Sequence, residues 1–194
     1  MTAAVLAVQG AFAEHEQKLD ELGINHIELR ERADLDRDFD ALILPGGEST
    51  VQGKLLRELG MFDALKDRIQ HGLPVLATCA GMILLAESIE NDDRQYFATL
   101  PVTVRRNAYG RQLGSFFTEA EYDGLGKVPQ TYIRAPFVTN VSDGVEVLSE
   151  VDGHITAVRY KNQTALAFHP ELSGDLRIYR DFLRQGQDSS QFHL

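Results

Sequence analysis

The sequence predicts an α/β fold with a mostly parallel sheet, on the strength of three observations. Short apolar segments alternate with polar, helix-forming segments through the first half of the chain. Each of these apolar segments ends in a loop rich in small residues, and ligands bind beyond such strand ends in open parallel sheets. At 194 residues the chain suits one domain with a full core. We therefore expect a single domain over residues 1–194, with its site beside the strand-end loops.

Four strands and the helices between them are predicted for the first half. The predicted strands cover residues 5–8, 26–29, 41–44 and 75–77. A polar helical segment over residues 14–22 follows the first strand and stops at Gly23, a common helix C-cap residue. Helical spacing after the third strand is shown by Leu55, Leu56, Leu59 and Phe62. The apolar run over residues 82–89 predicts a further helix after the fourth strand.

The second half is predicted to consist of short strands and one closing helix. The strand candidates are residues 102–104, 115–122, 131–133, 145–150, 154–160 and 164–168. Asp152-Gly153 is a hairpin turn signal between two of these strands. Residues 175–184 have the pattern of an amphipathic helix, and the polar tail from Gly186 is expected to fray.

Composition excludes several classes of function. A formal charge of −10 argues against nucleic acid binding, which requires a basic face. No apolar run approaches the roughly 20 residues of a membrane span. The N-terminal segment lacks the basic start of a signal peptide, and a single cysteine excludes an internal disulfide framework. We therefore expect a cytoplasmic protein with neither a nucleic acid nor a membrane as its partner.

Cys79, the single cysteine, lies between the predicted strand 75–77 and the apolar run that follows. The small residues Thr78, Ala80 and Gly81 permit a very sharp turn, which would expose the sulfur at a strand end. That arrangement is typical of a nucleophile elbow. The structural alternative is a small buried hydrophobic residue, as most free cysteines are, and this segment alone does not separate the two.

A cysteine nucleophile needs a base, because a thiol is mostly protonated at neutral pH. Of the six histidines, only His169 follows a strongly apolar strand and begins a tight turn that contains proline. Glu171, two residues later, could bond the other nitrogen of the imidazole. Cys79, His169 and Glu171 would then supply nucleophile, base and orienting group. A His-Pro-Glu turn by itself is more often structural.

The glycine-rich segment over residues 45–50 is the third candidate element. Gly46 and Gly47 follow a buried strand and could direct backbone N–H groups into an oxyanion hole. The alternative is a strand-to-helix turn with Ser49 or Thr50 as the N-cap. A phosphate-binding loop is disfavoured because neither standard glycine motif is matched. Arginines suited to carboxylate recognition cluster in the second half, but spacing alone does not choose among Arg105, Arg106, Arg111 and Arg134.

Six motifs occur together and in order, at residues 8–10 (Val-Gln-Gly), 44–50 (Leu-Pro-Gly-Gly-Glu-Ser-Thr), 78–81 (Thr-Cys-Ala-Gly), 106–111 (Arg-Asn…Gly-Arg), 133–136 (Ile-Arg-Ala-Pro) and 168–172 (Phe-His-Pro-Glu-Leu). With them the chain resembles the glutaminase subunits of two-component pyridoxal 5′-phosphate synthases, which are class I glutamine amidotransferases. The similarity covers about residues 5–183. It implies the fold of that class, a three-layer flavodoxin-like sandwich with a mostly parallel central sheet.

The resemblance also implies a role for each motif. Cys79 would attack the side-chain amide of L-glutamine, His169 would serve as base and then acid, and Glu171 would hold the imidazole. Gly47 and the N–H of Ala80 would form the oxyanion hole. The implied glutamine-binding residues are Gly47, Glu48, Ser49, Arg106, Ile133 and Arg134. Ammonia would pass to a synthase subunit, and no cofactor or metal is implied.

The resemblance further implies that the glutaminase is nearly idle until the synthase subunit docks. The loop at Gln9-Gly10 and the peptide between Gly46 and Gly47 are the expected places for that activation. Two other hypotheses stay open: a glutaminase of this fold that serves a different synthase, and a non-catalytic regulatory member. A peptidase-type or DJ-1-like cysteine enzyme would not explain the His-Pro-Glu turn.

Overall fold

The computed structural model describes residues 1–107 and 115–190, with side chains described up to residue 185. This part of the chain forms twelve strands, β1 (Thr2–Leu6), β2 (Asn25–Leu29), β3 (Ala41–Leu44), β4 (Val75–Thr78), β5 (Ala86–Ile89), β6 (Leu100–Arg105), β7 (Ser115–Tyr122), β8 (Gly126–Ile133), β9 (Phe137–Val141), β10 (Glu146–Val151), β11 (His154–Tyr160) and β12 (Gln163–Leu166). It also forms five α-helices, α1 (Phe12–Glu21), α2 (Ser49–Glu58), α3 (Phe62–Gln70), α4 (Ala80–Leu85) and α5 (Arg177–Ser190). Two 3₁₀ turns cover Arg32–Asp36 and Pro170–Leu172.

The central sheet confirms the predicted fold class. Its strand order is β2-β1-β3-β4-β12-β11-β9-β6-β5, with β10 paired to β11. The first five strands of this order are all parallel. They have the flavodoxin-like order 2-1-3-4-5, in which β12 takes the fifth place. Antiparallel pairs join β12, β11, β9 and β6. Four strands of the parallel part, β1, β3, β4 and β12, are buried along almost their whole length, as strands covered on both faces are.

The pairing of β4 with β12 positions the site. These neighbours are parallel, with Thr78 opposite Leu166, so that the residues after both strands emerge at the same edge of the sheet. The carboxyl end of β3 lies beside β4 on the other side. Cys79, His169 and the glycine-rich segment after β3 therefore meet at this edge.

A separate hairpin of β7 and β8 brings a fourth segment to that edge. Tyr132 of β8 stacks on Phe116 of β7 and makes an edge contact with Phe168 after β12. The N–H of His169 donates to the carbonyl oxygen of Thr131 at 2.8 Å, which fixes β8 against the turn after β12. Ile133 and Arg134 come directly after Tyr132 in the chain and are thereby carried to the site.

Several boundaries differ from the sequence prediction. The helix predicted over residues 82–89 is wrong in its second half, since α4 ends at Leu85 and β5 pairs in parallel with β6. A short apolar run fits a buried helix or a buried strand equally well, and here it contains both. Strand β9 was not predicted, and the apolar series after β3 is divided between α2 and α3 around Gly60. The hairpin turn is confirmed, with positive φ at Asp152 and Gly153.

The C-terminal helix is longer than predicted. Helix α5 begins at Arg177 and runs to Ser190, so that its backbone includes the start of the predicted tail. Residues 191–194 lie outside the described part, and fraying of the tail stays a prediction. The predicted motif residues Gly110 and Arg111 also lie outside the described residues. Among the helices of the described part, none combines the length and the apolar character needed to cross a membrane.

Candidate active site

Cys79 lies in a sharp turn between β4 and α4. Its backbone has φ 49° and ψ −101°, a conformation that is strained for a residue other than glycine and that concentrates at functional sites. The turn is held by the N–H of Cys79, which donates to the carbonyl oxygen of Leu166 at 2.7 Å. Gly81 is required for this packing, because a Cβ there would lie 2.2 Å from the carbonyl oxygen of Leu44. The elbow geometry expected from the small residues is therefore present.

Cys79 lines a pocket and is mostly buried rather than open to the surface. Cys79 is 8% exposed, less than the strand-end position suggested. Its Sγ is 4.0 Å from the carbonyl oxygen of Ile133, at the end of β8. A substrate must therefore enter the pocket to reach the sulfur.

His169 and Glu171 form a buried pair beside this turn. The Nδ1–H of His169 donates to Oε1 of Glu171 at 2.6 Å, a short charge-assisted bond. Pro170 begins the 3₁₀ turn, which brings Glu171 back beneath the imidazole. The other ring nitrogen, Nε2, is buried and has no hydrogen-bond partner among the described residues. One nitrogen is thus fixed by the carboxylate, and the other is left for a reacting group.

The charges at this pair favour an imidazolium beside a carboxylate. Burial lowers the pKa of His169, but the neighbouring Cys79 and Glu171 outweigh it and raise that pKa to about 10. Burial raises the pKa of Glu171, but the adjacent rings of His15 and His169 lower it below its usual value. A protonated His169 beside Cys79 stabilises a negative charge on the sulfur, which is the state that attacks a carbonyl.

The predicted site residues line one pocket of about 320 Å³, a volume suited to a small ligand. Cys79 and His169 line it together with the seven residues implied for the oxyanion hole and for glutamine binding, Gly47, Glu48, Ser49, Ala80, Arg106, Ile133 and Arg134. The remaining lining residues are Gln9, Ala11, Gly46, Ile83 and Asn107. Glu171 is not part of the lining and lies behind His169. No group of three or more His, Cys, Asp or Glu side chains within the described residues could hold a metal ion.

The pocket carries both signs of charge. Arg134 and Glu48 face each other at 3.6 Å and are 73% and 58% exposed, so that both can turn toward a ligand. Arg106 is more buried and donates from Nη2 to the hydroxyl of Tyr96 at 3.2 Å. Its Nε is buried with no hydrogen-bond partner in the described part of the chain. Two guanidinium groups and a carboxylate complement the charges of a free amino acid.

The neighbouring arginines Arg105 and Arg106 have different positions relative to the pocket. Arg105 forms an ion pair with Glu90 and is not among the pocket residues, whereas its neighbour Arg106 is. Side chains at successive positions of a strand point to opposite faces, so that adjacent arginines at a strand end diverge. Spacing alone could not have made this distinction.

The glycine-rich segment packs directly on the catalytic candidates. A Cβ at Gly46 would lie 2.5 Å from Cε1 of His169 and 3.4 Å from Cβ of Cys79. The N–H of Glu48 donates to Oε1 of Gln9 at 2.9 Å, which ties this segment to the loop after β1. Glu48 is the N-cap residue of α2, so that an N-cap at Ser49 or Thr50 is wrong.

His15 is a residue of the site that sequence reasoning missed. It lies on α1, is fully buried, and places Nε2 3.7 Å from Oε2 of Glu171. The same nitrogen is 3.2 Å from the hydroxyl of Thr78, and Nδ1 is 2.6 Å from the hydroxyl of Tyr179. A histidine within a polar helix carries no sequence signal for such a position.

Comparison with known proteins identifies relatives over nearly the whole chain. Residues 5–188 match the model of the SNO glutamine amidotransferase family. A protein of Desulfitobacterium hafniense (strain Y51) named pyridoxal 5′-phosphate synthase subunit PdxT is 63% identical over 183 residues, covering 94% of this chain and 92% of its own. A protein of the same name from Streptococcus pneumoniae (strain ATCC 700669 / Spain 23F-1) is 48% identical, covering 98% and 100%. A crystal structure described as a glutamine amidotransferase superposes with a TM-score of 0.91 at 41% identity, covering 95% and 98%.

Proposed function

Because the chain belongs to the SNO glutamine amidotransferase family, we propose that it is the glutaminase subunit of a pyridoxal 5′-phosphate synthase. It hydrolyses L-glutamine to L-glutamate and ammonia, and a synthase subunit uses the ammonia to make pyridoxal 5′-phosphate. The observation that carries the proposal is the shared pocket of Cys79 and His169, with Glu171 bonded to the imidazole from behind. The names of the relatives support the choice of synthase over one for another product.

Glutamine binds with its side-chain amide toward Cys79 and its charged end toward the pocket mouth. The guanidinium groups of Arg106 and Arg134 attract the α-carboxylate, and the carboxylate of Glu48 attracts the α-ammonium group. Gly47, Ser49 and Ile133 complete the lining around the ligand. The α-substituents thereby hold the amide carbon over the sulfur, which converts the attack into an intramolecular step.

In the first half of the reaction the sulfur of Cys79 attacks the amide carbon of the side chain. The tetrahedral oxyanion is stabilised by N–H groups of the Gly47 segment and of Ala80. His169 gives its Nε2 proton to the amide nitrogen, the C–N bond breaks, and ammonia leaves a γ-glutamyl thioester. Glu171 keeps the imidazole ring oriented throughout.

In the second half, water hydrolyses the thioester. The Nε2 of His169, now neutral, takes a proton from water as the oxygen attacks the thioester carbon. The C–S bond breaks, L-glutamate leaves, and the thiolate and imidazolium are restored. The same nitrogen therefore acts as acid and then as base, the reverse of the order that the resemblance implied, because the raised pKa of His169 leaves the imidazole protonated before glutamine binds.

Docking of the synthase subunit controls the oxyanion hole in this proposal. The Gly46 and Gly47 segment is tied to the loop after β1, through the bond from the N–H of Glu48 to Gln9. Gln52 donates from Nε2 to the carbonyl oxygens of Gln9 and Pro45, at 3.0 and 3.1 Å. A partner that contacts the loop after β1 can therefore act on the glycine segment without touching Cys79.

Glutamate release from L-glutamine, measured with and without the candidate synthase subunit, tests the proposal. We expect slow hydrolysis by the chain alone, much faster hydrolysis in the complex, and none above background for Cys79→Ser. A Gly174→Ala variant should match the wild type, since a Cβ at that position meets nothing within 4 Å. Full activity of Cys79→Ser, or activation by another synthase and not by this one, would contradict the proposal.

A further inference from the structure

A buried polar chain extends from Glu171 away from the pocket. Oε1 of Glu171 accepts from His169, whereas Oε2 is buried and has no hydrogen-bond partner within the described residues. Nε2 of His15 lies 3.7 Å from Oε2. His15 and Glu171 belong to segments more than 150 positions apart, and the side chains of both are fully buried.

The hydroxyl of Tyr179 on α5 contacts Nδ1 of His15, the ring nitrogen that is not next to Glu171. Burial raises the pKa of Tyr179 well above its usual value, so that its phenol keeps its proton. Burial also lowers the pKa of His15, so that the imidazole is neutral and has a single N–H. If the Tyr179 hydroxyl donates to Nδ1 at 2.6 Å, the N–H of His15 must be at Nε2.

The opposite tautomer is electrostatically unfavourable. It would place the proton on Nδ1 and direct the lone pair of Nε2 toward Oε2 of Glu171. Both groups are buried, so that water does not screen the repulsion between them. With the proton on Nε2, the N–H points at two acceptors, the Thr78 hydroxyl at 3.2 Å and Oε2 at 3.7 Å. Catalytic hydrogen bonds are often long in unliganded enzymes and shorten in the reacting complex.

We propose that His15 is a positioning residue for Glu171, held by Tyr179 in the tautomer whose Nε2–H faces the free carboxylate oxygen. The chain of contacts then runs from Tyr179 through His15 and Glu171 to His169. Oε1 of Glu171 is bonded to His169 and Oε2 faces the Nε2–H of His15, so that the carboxylate is restrained and the imidazole keeps its angle toward Cys79. This inference rests on the glutaminase chemistry proposed above and adds two residues that do not touch the substrate.

The charged and titratable groups around this chain are few. The carboxylate of Glu171 faces His15 from α1 and His169 from its own turn. His15 interacts with Glu171, His169 and Glu14. Tyr179 interacts with Glu171 and with Glu21 at the end of α1. His169 interacts with Glu171 and with Cys79.

Two substitutions at His15 separate the role of the Nε2–H from that of burial. In His15→Gln the amide nitrogen can occupy the place of Nε2, three bonds from Cβ, and can still donate to Glu171. In His15→Asn the amide occupies the place of Nδ1 and leaves Glu171 without its neighbour. A third variant, Tyr179→Phe, removes only the hydroxyl. Leu19→Ala is the control for loss of packing on α1, because Leu19 belongs to the apolar core.

Two readouts are measured for each variant across pH. The first is kcat and KM for glutamine in the complex with the synthase subunit. The second is the rate at which iodoacetamide alkylates Cys79 in the chain alone, which needs neither glutamine nor partner. Failure of the proposed function would leave the wild type without glutamine hydrolysis, whereas the alkylation profile would still report the state of the Cys79 site.

We expect His15→Asn to lower kcat about tenfold, equal to about 1.4 kcal/mol of activation free energy, with KM unchanged. The acid limb of both pH profiles should move up by about one unit, because the Glu171 carboxylate loses the Nε2–H that faces its free oxygen, and its ionised form is then less stabilised. His15→Gln should restore most of the activity, and Tyr179→Phe should show the same shift in smaller measure. Leu19→Ala should lower thermal stability without moving either profile.

The inference is overturned if His15→Asn and His15→Gln have equal activity with unshifted profiles, since that result indicates packing alone. It is also overturned if Leu19→Ala moves the acid limb as far as His15→Asn does. Should His15→Asn fail to fold, Tyr179→Phe decides the matter: an unshifted profile refutes the role, and a shifted one supports it.

Discussion

A single methyl group at Gly46 should disable catalysis while leaving the fold intact. The Cβ of an alanine at this position would lie 2.5 Å from Cε1 and 3.2 Å from Nδ1 of His169. Carbon atoms in contact are about 3.5 Å apart or more, so that the imidazole must move by about 1 Å. A misplacement of about 1 Å in a reacting group can cost about 100-fold in rate. We therefore expect Gly46→Ala to lower kcat about 100-fold.

The assay is glutamate release by the complex with the synthase subunit at saturating glutamine, with thermal unfolding of the chain alone measured in parallel. Gly174→Ala is the control, because Gly174 lies in the connection between the His169 turn and α5, and a Cβ there meets nothing within 4 Å. The control should keep the wild-type kcat. A Gly46→Ala variant with wild-type kcat would refute the reasoning, since the imidazole would then tolerate the displacement.

Three further predictions follow from the same site. The pKa of His169 rises from 6.5 to about 10 on folding, so that its stabilisation is full below pH 6.5 and is lost as pH rises toward 10. Urea unfolding should show this loss in the wild type, reduced in Cys79→Ala and absent in His169→Gln. Arg134→Ala should raise KM for glutamine about tenfold, because it removes a guanidinium group proposed to bind the α-carboxylate. The free energy of unfolding should not change, since the side chain is 73% exposed, and an unchanged KM would exclude Arg134 from glutamine binding. Gly81→Ala, whose Cβ would lie 2.2 Å from the carbonyl oxygen of Leu44, should lose about 3 kcal/mol of unfolding free energy, and near-wild-type stability would contradict that packing.

The parts of the site that were predictable from sequence are those defined within a few residues. The turn at Cys79 depends on small neighbours, and the structure has the strained φ that they permit. The return of Glu171 to His169 depends on Pro170, which begins a 3₁₀ turn. The strands at the centre of the sheet were also predictable, since a run of apolar residues between loops fits a strand buried on both faces.

Helix and strand were harder to tell apart where a short segment of the sequence fitted both. Residues 82–89 are apolar enough for a core helix, yet hydrogen bonds with β6 convert their second half into strand β5. Strand β9 has a buried start and exposed middle residues, so that its pattern lacked a clear period. In both places the decision was made by a neighbouring strand, which a local pattern does not contain.

The polar chain behind His169 and Glu171 could not be predicted from sequence, and the reason is topological. His15 becomes buried only because α1 packs beside the turn that holds Glu171 and because Tyr179 arrives on α5, 164 positions later. Neither histidine nor tyrosine is unusual in its own segment, and the pairing exists only in three dimensions. Buried polar groups are costly unless they are bonded, and here His15 and Tyr179 bond each other next to the carboxylate that we propose to orient the base. Short motifs therefore indicate the proposed reacting groups, whereas long-range packing supplies the groups proposed to hold them in place.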